Sequence, residues 1–410
     1  MATPRPLARC KTDAGILLLA WLAVSASCRQ QEPAAVELAR REDLTGPAWR
    51  VAARRDGKVL LALQRATRRA EGSPTLIFEN GRHRQGPDAR ITMIPLRAGE
   101  RPDTLRLQSL MFDGETVLYA RAGDGPVLYQ SPVEPRLYVA EHGNHLWLVT
   151  AAGATRLTAD TVQGIARDTL RAQQREGVRH LFWAATPLWS PDGSAIAYVT
   201  NRTWMLNPRG GQEVWIVEPQ TGRERPLLSE PGEFFSPQGW LGSELVYQPR
   251  QGPISAIDVR SGKRRAIASG AVVAISPSAS RMLYMVPVGD TAVRAHVVTE
   301  RNLVVDVPDL PTGQRFDYRG AFSPSGDCIL LGTSFARDSG ITRALYVFDV
   351  GARRLTRLMQ WSHREGNRHP DGSPGAWLDE STLLLTQFDR NTRQESSMLV
   401  RLRPATSSRN

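Results

Sequence analysis

Two short stretches collect the side chains best suited to chemistry. Glu141-His142-Gly143-Asn144-His145 sets two imidazoles three positions apart, and Trp361 to Asp371 holds His363 and His369 beside Glu365 and Asp371. Imidazole and carboxylate are common zinc ligands, but a site built within one stretch has a spacing such as His-Glu-x-x-His, and neither stretch has it. The alternating acids of a calcium loop are missing as well. Solvated loop histidines are therefore expected, with no metal and no cofactor, and His363 and His369 are kept as ligand or partner contacts. A third stretch offers Arg175-Glu176, followed by Phe182, Trp183 and Trp189, with Trp204 further on as an aromatic side chain that a ligand could meet. No Gly-x-Ser-x-Gly nucleophile elbow, phosphate loop or dinucleotide fingerprint occurs. Catalysis is not expected from any single motif, although carboxylates from separate loops could still converge.

The cysteines point to a cellular address. Cys10 and Cys28 fall in the first thirty residues and leave Cys328 alone in the body of the chain, so no disulfide and no Cys-based metal site is expected there. Arg5, Arg9 and Lys11 precede an apolar run, Ile16 to Ala26, which ends in Ser27-Cys28. A basic start, a short apolar run and small residues describe a secretory signal, and the run is too short for a comfortable transmembrane helix. Small residues before a Cys resemble the lipobox of bacterial lipoproteins, which implies lipidation at Cys28. Ser25 stands where that pattern has Leu, so cleavage by an ordinary signal peptidase stays open. Arg29 is not the Asp that retains such proteins in the inner membrane, which implies an outer-membrane anchor where the cell has one. Residues 1–27 are thus expected to be a signal and 28–46 a polar tether, with localisation in the periplasm or at the cell surface.

Neither the 41% apolar content nor the 23% charged content suggests disorder. The net charge of +11 invites nucleic acid, but the basic residues are nearly all Arg, with only Lys11, Lys58 and Lys263. Most are scattered among acids and lack the interleaved aromatics of a stacking platform. Nucleic-acid binding is not expected.

The elements that must carry these residues are short strands. Trp189-Ser190-Pro191-Asp192-Gly193 is a tight turn between two apolar runs, with Pro presetting φ, Asp bonding its own backbone and Gly taking the positive-φ corner. A second hairpin follows, Val214 to Val217, turning at Thr221-Gly222. The pattern recurs at Arg54 to Leu63, Met111 to Tyr119, Trp240 to Tyr247, Ile275 to Met285, Phe322 to Leu331 and Trp377 to Leu385. Second hairpins recur in phase, at Leu146 to Leu157, Ile254 to Ile267 and Leu345 to Leu358. Repeats of this size predict an all-β propeller of seven four-stranded blades over 47–403, followed by a short tail, 404–410. Six or eight blades remain possible, because Thr75 to Leu105 parses in more than one way. The last copy lacks a fourth strand, and a stretch near the mature N-terminus, Ala35 to Leu38 or Trp49 to Ala53, is predicted to complete it.

Trp-Ser-Pro-Asp-Gly before an apolar strand, with Val-Trp-Ile-Val and Thr-Gly-Arg further on, resembles the repeat of TolB-type β-propellers. The same repeat occurs in the propeller domains of dipeptidyl-peptidase-like enzymes. In those peptidases a segment near the second-to-third blade junction carries paired Glu residues for a substrate amine, whereas Arg175-Glu176-Gly177 offers no such pair. The insertion at that junction, about 159–185, is predicted to be a short helix, with Val162, Ile165, Ala166 and Leu170 at helical spacing. No peptidase domain is expected after the last blade, and membership of the Tol machinery does not carry over. The resulting expectation is a binding or scaffold protein of the bacterial envelope whose partner is a protein, a peptide or a polysaccharide. It would touch the membrane through its lipid anchor only. The alternative is an enzyme acting on a carbohydrate or lactone at the channel mouth. A subunit of a larger secretion or division machine would instead show an extended exposed apolar patch.

Overall fold

A computed structural model describes residues 36–44, 49–55, 58–63, 75–85, 91–93, 108–112, 115–119, 127–134, 136–142, 144–150, 153–159, 161–162, 165–166, 183–202, 211–289, 292–335, 341–362, 368–370, 375–389 and 394–404. The third blade shows how the chain builds its unit. Ala184–Trp189, Ile196–Thr200, Glu213–Val217 and Glu224–Leu228 pair antiparallel in sequence order, joined by the Ser-Pro-Asp-Gly turn and the Thr-Gly turn. Every residue of Ile196–Thr200 is buried, which fits an uninterrupted apolar strand covered on both faces.

Five more four-stranded sheets repeat this order, and a five-stranded sheet forms the seventh blade. The first blade opens at Trp49–Arg55, the second at Val127–Gln130, the fourth at Phe235–Leu241, the fifth at Ala271–Ile275 and the sixth at Gln314–Phe322. In the seventh, Arg368–Pro370 and Ala376–Trp377 both pair with Thr382–Asp389, which pairs with Gln394–Pro404. A three-stranded sheet, Ile91–Met93, Gln108–Phe112 and Glu115–Tyr119, lies between the first and second blades in sequence. The chain is a β-propeller.

Alternation along each strand gives each blade two apolar faces, and the core is a series of seams. Ile196, Tyr198 and Val217 of the third blade pack against Val139 and Leu146 of the second. Ala197, Val199, Val214 and Ile216, on the opposite face, pack against Trp240, Leu245 and Tyr247 of the fourth. Similar clusters fill the seams between blades four and five, five and six, and six and seven. Each fully buried large side chain contributes about 1.5–3 kcal/mol, so the seams are the main source of stability.

The N-terminal strand completes the last blade. Val36–Leu44 pairs antiparallel with Gln394–Pro404, from Val36 opposite Pro404 to Leu44 opposite Ser397. The predicted closure through the stretch starting near Ala35 is therefore observed, while Trp49–Arg55 opens the first blade. Trp49 N–H donates to Ser397 Oγ at 2.8 Å and so ties the first blade to the seventh. This shortens the tether expected over 28–46, because part of it is a strand.

Two further expectations change. Met111 to Tyr119 forms a hairpin as expected, but within the three-stranded sheet. The second blade instead takes its first hairpin from Val127–Gln130 and Tyr138–His142, whose turn begins Ser131-Pro132 and is longer than the other Ser-Pro turns. The start of the insertion is not helical: Thr161–Val162 and Ile165–Ala166 pair as two short antiparallel strands. Thr, Val and Ile are β-branched, which favours strand over helix. The remainder of the predicted helix, including Leu170, lies outside the described residues.

Antiparallel order separates two mouths. Short first-to-second and third-to-fourth strand turns, such as 190–195, 219–223, 276–280 and 323–327, gather at one end. The long connections, including 157–183 and 201–212, leave from strand ends at the other. The turn-bearing mouth is cross-tied between blades. Gly242 N–H donates to Ala279 C=O at 2.6 Å, Arg281 pairs with Asp327 at 2.7 Å, and Ser325 donates through its backbone N–H and hydroxyl to the Glu380 carboxylate at 2.6 and 2.8 Å.

Candidate functional site

First strands of neighbouring blades approach one another, and most carry the same irregularity. Register slips between Val51 and Ala53, Ala185 and Leu188, Pro237 and Gly239, Val272 and Ala274, and Phe316 and Gly320. Bulges of this kind re-aim side chains where strands meet a site. The sixth blade departs most, since Asp317, Tyr318 and Arg319 stand against Gly332 alone and Tyr318 is 48% exposed. In the third blade, Thr186 sits at φ 54°, a strained setting for a β-branched residue, and its N–H donates to the Glu141 carboxylate of the second blade at 2.9 Å.

Between these bulges and the turn-bearing mouth lies a cavity of about 410 Å³, bordered by blades two to five. Tyr129, Gln130, Trp189, Gln238, Trp240 and Ile275 line it together with four prolines, and its wall has no charged side chain. The indoles are structural: Trp189 Nε1 donates to Tyr129 C=O at 2.9 Å and Trp240 Nε1 to Leu188 C=O at 3.2 Å, each reaching the preceding blade. Trp377 repeats the bond to Ala321 C=O at 2.9 Å. Burial, and then the Glu141 carboxylate, push the Tyr129 hydroxyl up from its ordinary range. A neighbouring cavity of about 360 Å³ shares Pro191 and Trp240 and contains Asp192, Asp258 and Arg260. Hydrogen bonds from Ser190 and Ser194 hold the Asp192 carboxyl below its usual range, and those from Ser261 do the same for Asp258.

A buried ion pair runs across the third blade, from Arg202 beyond the loop-side end of Ile196–Thr200 to Glu224, which opens the outer strand after the 219–223 turn. Arg202 makes a two-pronged contact with Glu224 at 2.8 and 2.9 Å, with side-chain exposures of 7% and 10%. Tyr198 donates its hydroxyl to the same carboxylate at 2.7 Å, and the Arg202 guanidinium lies 4.5 Å from the centre of the Trp215 ring. Burial works against the charge on Arg202, and the bonds from Glu224 more than offset it, so its pKa rises. Desolvation pushes the Tyr198 hydroxyl well above its ordinary range. Glu213, fully buried, accepts from Trp215 Nε1 at 2.8 Å and Ser229 Oγ at 2.9 Å.

This cluster ties the roots of two of the long connections, 157–183 and 201–212. Ala159 N–H, at the start of the insertion, donates to Glu224 at 3.1 Å, and Arg202 itself begins the connection that carries Trp204. The insertion returns at Trp183, whose N–H donates to Asn201 Oδ1 at 3.1 Å and whose carbonyl accepts from Thr200 Oγ1 at 2.7 Å. Sequence reasoning missed the cluster. Arg202 and Glu224 are 22 residues apart and match no motif, although an unpaired-looking Glu213 opening an apolar strand was a signal in plain view.

Of the residues singled out from sequence, Cys28, Arg175, Glu176, Trp204 and His363 lie outside the described residues. The backbone of His369 does not belong to a loop: it lies in a strand opposite Phe388. His145 departs from the solvated histidine expected, being buried with its Nδ1 2.8 Å from Thr158 Oγ1. Among the described residues no group of three or more His, Cys, Asp or Glu side chains is placed to hold a metal ion. No helix among them is long and apolar enough to cross a membrane.

No protein-family model matches the chain. No curated protein matches it either. Among solved structures it is similar to an oligogalacturonate lyase from Vibrio parahaemolyticus, with 11% identity over 90% of this chain and 98% of that one and a TM-score of 0.52. Dipeptidyl peptidase 4 from Porphyromonas gingivalis superposes at 0.52 with 10% identity, over 86% of this chain and 59% of the peptidase. TolB from Acinetobacter baumannii aligns at 12% identity over 85% of this chain and 82% of that one, with a TM-score of 0.34 that carries no weight. The likenesses at 0.52 show the propeller fold alone.

Proposed function

We propose that the chain is an exported β-propeller, lipid-anchored at Cys28, that acts as a binding or scaffold protein in the bacterial envelope. The observation that carries the binding role is the asymmetry of the two mouths. Tight turns bonded from blade to blade form one mouth, whereas the long connections that break the repeat leave from strand ends at the other, in the third blade beside Thr200 and Glu213. Rigid scaffolds place recognition on their variable connections, so the loop-bearing mouth is the recognition face. Arg175, Glu176 and Trp204 belong to connections that leave from it, and His363 to another. The uncharged wall of the channel cavity supports binding over acid–base chemistry at that point. Export and anchoring rest on the basic start, the apolar run and Ser27-Cys28, and Arg29 favours the outer membrane.

The partner class is an envelope protein, a peptide or a polysaccharide. Affinity capture from solubilised envelope with the tagged mature chain, together with its intact mass, tests the reading. A specific partner and a diacyl or triacyl mass increment at Cys28 are expected. An unmodified Cys28 would remove the anchor, and the absence of any partner would remove the binding role.

A further inference from the structure

Resting on the anchor reading, we infer that the turn-bearing mouth is the side of the propeller held against the bilayer, and that the loop-bearing mouth faces away from it. The argument is one of topology and chain length. Val36 opens the outermost strand of the seventh blade and pairs with Pro404. Two residues before Pro404, Leu402 N–H donates to Ser381 C=O at 2.7 Å, and Ser381 belongs to the turn between the first two main strands of that blade. Val36 therefore enters the fold at the rim of the turn-bearing mouth. Eight residue steps separate Cys28 from Val36. A fully extended chain rises at most about 3.6 Å per residue, so that corner stays within about 29 Å of the lipid to which Cys28 would be joined. Thr382–Asp389 spans the blade from this mouth to the other in eight residues, which adds about 25 Å to the reach needed at the far end.

The arrangement divides the labour between the two mouths. The cross-tied turns and the uncharged cavity face the phospholipid surface, and the strand ends from which the long connections leave face the envelope space. The partner's approach is then from the side away from the anchoring membrane.

Orientation can be read without relying on lipidation in the cell. The mature chain from residue 29 carries an N-terminal hexahistidine tag and is bound to phosphatidylcholine vesicles doped with a nickel-chelating lipid and a lipid-attached energy acceptor. A donor dye is placed on Ser381→Cys at the turn-bearing mouth or on Gln394→Cys at the loop-bearing mouth, both exposed positions of the seventh blade. Energy transfer at least about twofold more efficient from position 381 is expected. Equal transfer, or greater transfer from position 394, would overturn the orientation. Circular dichroism and thermal unfolding matched to the parent chain show that both labelled proteins are folded. The intact mass at Cys28 tests the natural anchor separately, so the two readings fail independently.

Discussion

Cys328 is half-buried on the second strand of the sixth blade, and burial, reinforced by Asp349, Asp327 and Glu380, pushes its thiol up to about 12. An ordinary thiol titrates near 8.5. The folded state therefore holds the proton more tightly than the unfolded chain, and the associated stability is fully present below about pH 8.5. It is lost as pH rises toward 12. Denaturant unfolding at pH 8 and pH 10.5 should show a larger alkaline loss for the parent than for Cys328→Ala, and native Cys328 should resist thiol reagents at pH 8. In the third blade, Glu224 serves Arg202, Tyr198 and Ala159 at once. Glu224→Ala strands a buried guanidinium and should cost about 3–5 kcal/mol in the same assay. Replacing Arg202 and Glu224 together by apolar residues should cost clearly less.

At the scale of the element, the Ser-Pro-Asp-Gly turn joins blades as well as strands. Ser190 Oγ accepts from Ala195 N–H at 3.0 Å, and Ser323 Oγ accepts from Cys328 N–H at 3.2 Å, so the Ser closes its own turn. Gly193, at φ 69°, also abuts the second blade: a Cβ there would collide with Val133 Cγ2. Gly222 has the same φ and open space around it. Gly222→Ala should cost about 1 kcal/mol from backbone strain, and Gly193→Ala distinctly more, with partial recovery on adding Val133→Ala. Turn chemistry of this kind is local, which is why the strands around Trp189, Ile275 and Phe322 were legible in the sequence. The bulges were not legible, because a register slip depends on the partner strand. The second blade's first hairpin escaped because its Ser131-Pro132 turn is drawn out to Leu137. The helical spacing of the insertion was outweighed at its start by the β-branched Thr161, Val162 and Ile165. The Arg202–Glu224 cluster is a contact between distant positions, and nothing in its spacing announces it.

For the whole molecule, closure depends on one strand taken from the far end of the chain. Leu44 and Trp49 pack with Leu378, Leu384 and Leu399, so Val36–Leu44 is pinned through Leu44 to the core at the junction of first and last blades. A chain begun at residue 36 should keep its melting temperature, and one begun at residue 46 should melt far lower or fail to fold, as thermal unfolding would show. The central claim is that partners are recognised at the loop-bearing mouth. It is tested most directly by envelope capture with three tagged chains: the parent, one with 160–182 replaced by a short Gly-Ser linker, and Thr221→Arg on the opposite mouth. Because the roots at Ala159 and Trp183 are tied to Glu224 and Asn201, the linker variant should fold with a melting temperature near that of the parent. The account predicts one partner captured by the parent and by Thr221→Arg and lost by the linker variant. Capture that survives the linker and is lost with Thr221→Arg would contradict it.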